Sequence, residues 1–165
     1  MNIVGYKSGG HDGSVCSIQD EKLIYSIEGE KDNRKRHESV SRDHFEKILS
    51  RWGDHPDIIC GDSYKFGSED VGLYTGISFK DIQWSKVELG GKEIDYAAVP
   101  HELAHITSAI ALSDLPEGQA CYALVWEGFL GRFYYVDEKL NVTKLGIKQH
   151  VLNFPGVRYI MPYHG

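Results

Sequence analysis

The sequence is poor in cysteine, in long apolar runs and in basic charge. Its three cysteines, Cys16, Cys60 and Cys121, lie far apart, each in an apolar, strand-like run. They read as reduced, buried thiols rather than as a disulfide framework, which points to the cytoplasm. No apolar run approaches the roughly 20 residues that span a bilayer as a helix. The opening MNIVGYKSGGHDG has no basic segment followed by an apolar stretch, so it does not read as a secretion signal. With 18 Lys and Arg against 24 Asp and Glu, the net charge of −6 leaves no footprint for a nucleic acid. There is no internal repeat and no low-complexity segment.

What is present is ordinary for a globular protein: 165 residues, 41% hydrophobic and 25% charged, enough for one compact domain with a core. Residues 2–7, 14–19 and 22–28 are strand-like. Asp20 and Glu21 form a tight turn between the last two, which suggests an antiparallel meander. The charged stretch 29–42 reads as a solvated loop. Ser41 then opens a helix in which Phe45, Ile48, Leu49 and Trp52 recur at helical spacing, and Gly53 closes it. Residues 57–60 are a short buried strand. The region 64–95 offers strand-like patches at 77–79 and 84–89 but no clear order. Pro100 precedes a second helix over 101–113. Strands follow at 120–126, 131–136 and 140–147. The alternation describes a mixed α/β layer fold. The tail 151–165 is apolar and aromatic, which suits a chain that continues into something longer or an end that docks on a partner.

The strongest chemical signal is His101-Glu102-Leu103-Ala104-His105. Histidines at i and i+4 stand one turn apart on one helix face, so two imidazoles converge on a single ion. The same residues spell the His-Glu-x-x-His of zinc peptidases, with Glu102 as general base. Such enzymes need a third ligand. Asp114 and Glu117 lie in a turn and Glu127 at a strand end, so no second helix offers one. The turn Gly9-Gly10-His11-Asp12-Gly13-Ser14 is the second signal. Small residues let backbone N–H groups and one imidazole approach a ligand, with His11 as a candidate base; plain turn chemistry is its rival. The third signal is Glu28, Glu30 and Lys31 with Arg34, Arg36 and His37, a loop dense enough in basic groups to hold a phosphate or carbamoyl oxygen.

Together these pieces resemble one family, the O-carbamoyltransferases of nodulation-factor and antibiotic biosynthesis. The matching segments are SGGHDGSVCSI at 8–18, LIYSIEGEKDNRKRH at 23–37, PHELAHITSAIALS at 100–113 and YALVWEGFLGRF at 122–133, in the family's order. The resemblance implies an α/β ribonuclease H-like lobe of the actin-like ATPase fold, similar to the tRNA threonylcarbamoyl-transfer proteins. Residues 1–165 would be the first lobe of the carbamoyltransferase domain, with the second lobe and the adenylate-forming domain absent. It also implies a divalent transition metal (iron, or zinc or manganese) on His101, His105 and a strand-end carboxylate. That carboxylate is Glu127 here, where the family has Asp. ATP and carbamoyl phosphate would be co-substrates, and carbamoyl adenylate the donor to a small-molecule hydroxyl. His11 would be the base, and Asp12, Gly13, Ser14, Glu30, Arg36 and His37 would bind substrate. Such a chain is expected to need a second lobe or chain, or to form a homo-oligomer through an apolar interlobe face. It is expected to need no nucleic acid or membrane. The alternatives are the peptidase and a non-catalytic metal-binding regulatory or assembly subunit.

Overall fold

The computed structural model describes residues 1–8, 13–35, 38–61, 76–127 and 130–146. The chain forms two compact units, one of Met1–Thr75 and Lys80–His101, the other of Gly76–Phe79 and Glu102–Gly165.

In the first unit the expected meander is present as β1 (Asn2–Lys7), β2 (Ser14–Gln19) and β3 (Lys22–Glu28), all antiparallel. Asp20 and Glu21 both take positive φ, the backbone of a two-residue hairpin turn whose twist matches its strands. One helical turn, α1 (Gly29–Asn33), interrupts what read as loop. Helix α2 (Arg42–Trp52) begins where the side chain of Ser41 accepts from the His44 N–H, and ends at Gly53. Strand β4 (Ile58–Gly61) then pairs parallel to β1, and β6 (Lys92–Ala98) parallel to β4. Strand β5 (Gln83–Leu89) is the antiparallel hairpin partner of β6.

The sheet order is β3-β2-β1-β4-β6-β5. Three antiparallel strands leading into parallel β1, β4 and β6 are the ribonuclease H-like arrangement that the resemblance implied, extended at one edge by β5. One sheet face packs Val4, Tyr6, Val15, Ile59 and Tyr96 against Phe45, Ile48 and Leu49 of α2. Burial of each large apolar side chain there contributes about 1.5–3 kcal/mol. Cys16 and Cys60 are free thiols as expected, but only half-buried. Strand alternation puts them on the face opposite the one that meets α2.

The region that resisted ordering holds the β5–β6 hairpin. Its turn is Gly90-Gly91, both at positive φ, a conformation glycine adopts without strain. The patch at 77–79 is no strand. It runs into a single 3-10 turn, Phe79–Asp81.

The second unit has α3 (His101–Ala111), which belongs to it from Glu102 onward, and an antiparallel meander of β7 (Cys121–Glu127), β8 (Leu130–Val136) and β9 (Val142–Lys144). Ile106 and Ile110 of α3 cluster with Val125, Tyr134 and Val136. No helix among the described residues is long and apolar enough to cross a membrane.

A buried polar knot ties the start of β1 to the end of α2. Asp54, 6% exposed, accepts from the Asn2 amide and from the Tyr25 hydroxyl at 2.7 Å, while the buried Ser17 hydroxyl donates to Asn2 Oδ1 at 3.2 Å. The ring of Tyr25 stacks on Trp52, 4.9 Å away. Burial works against the Asp54 charge, but the hydrogen bonds from Asn2, Tyr25 and Ser17 outweigh it and hold the carboxyl below its ordinary value. Asp54→Ala should therefore cost about 2–3 kcal/mol of stability, because the buried Tyr25 hydroxyl and the part-buried Asn2 amide lose their acceptor; urea unfolding at neutral pH reads this. The depressed folded value sets the sign of the pH dependence. The contribution is complete above the unfolded carboxylate value of about 3.9 and fades as pH falls through the folded value. The gap between wild type and variant should close in acid.

Candidate functional site

Because β1, β4 and β6 are parallel, Lys7, Gly61 and Ala98 end at one edge of the first unit's sheet. The antiparallel partners bring the start of β2 at Ser14 and the end of β3 at Glu28 to the same edge. In open α/β sheets the carboxyl ends of parallel strands are where ligands bind. Here the edge gathers three sequence motifs: the turn bracketed by Ser8 and Gly13, the segment from Glu28 to Val40, and His101. The Val99 N–H donates to the Gly61 carbonyl at 3.1 Å and holds the approach to His101.

Residues 38–40 bond to Ser8 and Gly13, on either side of residues 9–12. The Gly13 N–H donates to the Glu38 carbonyl (2.9 Å), and the Gly29 N–H to the Gly13 carbonyl (2.7 Å). The Val40 N–H donates to the Ser8 carbonyl (3.2 Å), and the Val40 carbonyl accepts from the Tyr6 hydroxyl (2.7 Å). The fit is close enough to exclude a side chain at Gly13, where a Cβ would lie 2.3 Å from the Val40 nitrogen. Gly13 thus permits backbone contact, and its N–H is given to Glu38. Ser14 is half-buried at the head of β2, opposite Glu28. Glu30 lies in α1 with the Lys31 ammonium 3.3 Å from its carboxylate. His11, Asp12, Arg36 and His37 lie outside the described residues.

His101 opens α3 and is half-buried; His105, one turn on, is exposed. Two imidazoles so spaced suit a transition ion. Among the described residues no group of three or more His, Cys, Asp or Glu gathers to hold one. Of the expected metal ligands, the described residues thus offer the two histidines of α3, one turn apart. β7 ends at Glu127, as expected of the strand that carries it.

One constellation escaped the sequence. Glu102, whose side chain is 12% exposed, is bound at Oε1 by both Arg132 and the Tyr134 hydroxyl, the latter at 2.7 Å. Arg132 and Tyr134 are i and i+2 on β8 and so share a strand face. Burial, then the Glu102 carboxylate, push the Tyr134 phenol up, so it stays a hydrogen-bond donor at neutral pH. The peptidase mechanism asks this carboxylate to serve as a free base, whereas its Oε1 is already held by two donors of β8. A hollow of about 660 Å³ in the second unit, lined by Thr107, Ile110, Leu115, Pro116 and Leu140 among others, contains none of the expected site residues.

No family model matches the chain. It is 33% identical over 162 residues to a 3'-hydroxymethylcephem-O-carbamoyltransferase of Amycolatopsis lactamdurans, covering 96% of this chain and 30% of that protein. It is 28% identical over 165 residues to nodulation protein U of Rhizobium tropici, covering 83% and 28%. Over nearly its whole length, the chain is similar to one part of these carbamoyltransferases. It spans less than a third of the length of these relatives. Among solved structures, the Aquifex aeolicus member of the Ppx/GppA family is similar at a TM-score of 0.41 and 12% identity, over 99% of this chain and 60% of that one.

The Glu102 clamp predicts a graded response. Glu102→Ala should lower stability by about 1–2 kcal/mol, chiefly because the buried Tyr134 hydroxyl loses its acceptor; the ionic part is screened, Arg132 being two-fifths exposed. Glu102→Gln, which keeps an acceptor oxygen, should lose less. Melting curves of the two variants decide the order. In the same set, casein incubated with the zinc-supplemented wild-type chain should stay intact. Cleavage that Glu102→Gln abolishes would restore the peptidase reading.

Proposed function

We propose that this chain is part of an O-carbamoyltransferase, acting within a larger or split enzyme. The enzyme moves a carbamoyl group from carbamoyl phosphate, by way of carbamoyl adenylate formed with ATP, to the hydroxyl of a small molecule. A hydroxymethyl group of the kind named in the cephem relatives is the acceptor class. One observation supports the reading: Ser8 and Gly13, the segment from Glu28, and His101 lie at the carboxyl end of the parallel strands of a ribonuclease H-like sheet, in a chain similar to carbamoyltransferases over nearly its whole length.

In transfer, the acceptor oxygen bonds to the carbamoyl carbon, the adenylate C–O bond breaks, and AMP leaves with the bonding pair. The acceptor proton needs a base. His11, in the turn between Ser8 and the clasped Gly13, is assigned that role. Asp12, Gly13, Ser14, Glu30, Arg36 and His37 are assigned to bind substrate. His101 and His105 would hold a divalent transition ion, with Glu127 as the assigned carboxylate. Such an ion would polarise the carbamoyl oxygen. The remaining lobe and the adenylate-forming domain come from further polypeptide.

Two measurements test this. Metal analysis of protein purified without chelator should find a divalent transition ion in the wild type and a clear loss in His101→Ala/His105→Ala. Equal content in both would remove the metal assignment. A chimera in which this chain replaces the matching third of the Amycolatopsis lactamdurans enzyme should carbamoylate a hydroxymethylcephem, and His11→Ala in it should slow transfer by about 10²–10⁴-fold, the usual worth of a general base. A folded chimera with no transfer would overturn the proposal, and full activity of His11→Ala would overturn the role of His11.

A further inference from the structure

We draw no further inference here: the strongest candidate, the hollow of about 660 Å³ in the second unit between the end of α3 and the turn from β8 to β9, mixes apolar and charged side chains that single out no one ligand chemistry, and nothing in the structure shows what fills it.

Discussion

The first unit hangs on the double pairing of β1. Its backbone groups are used on both edges, antiparallel to β2 and parallel to β4, and both its ends are pinned by side chains. Asn2 reaches the buried Asp54 at one end, and Tyr6 bonds the Val40 carbonyl at the other. The antiparallel side decides where the 9–12 turn falls. The parallel side forces the chain to cross over by way of α2 before β4 can add. On the way into that crossover, residues 38–40 bond to Ser8 and Gly13. The candidate site is thus a by-product of sheet topology, and its parts lie close because the strands have no other way to close the ladder.

Much of this fold was legible because local signals agreed. For α2, the Ser41 cap, the Gly53 stop and the spacing of Phe45, Ile48 and Leu49 all pointed to the same limits. Trp52 shows where periodicity misleads: it continues the apolar row, yet it lies outside the core, half exposed and stacked on Tyr25. Of the β5–β6 hairpin, the patch at 84–89 is β5, while the sequence does not announce β6. The buried face of β6, Ile94, Tyr96 and Ala98, alternates with Glu93 and Asp95, and the segment opens on the charged pair Lys92 and Glu93. The Gly90-Gly91 pair was the one turn signal available.

The site divides along similar lines. Histidines one turn apart can be read from spacing, since helix geometry alone sets their relation. The Glu102–Arg132–Tyr134 clamp cannot, because it joins residues thirty or more positions apart and exists only once α3 has packed on the meander. From spacing alone, Glu102 suits a catalytic base as well as a structural anion. Packing selects the second.

That clamp has a thermodynamic consequence. Glu102 is bonded to β8, and Ile106 and Ile110 are packed in the apolar cluster of the same unit. The rotation of α3 about its own axis is therefore held by contacts on its inner side, and the azimuth of the histidine pair is held with it. Any ligand that prefers this azimuth must, by mass action, also favour the folded meander over the open one. The order of the helix and the cooperativity of the three strands are then a single linked equilibrium.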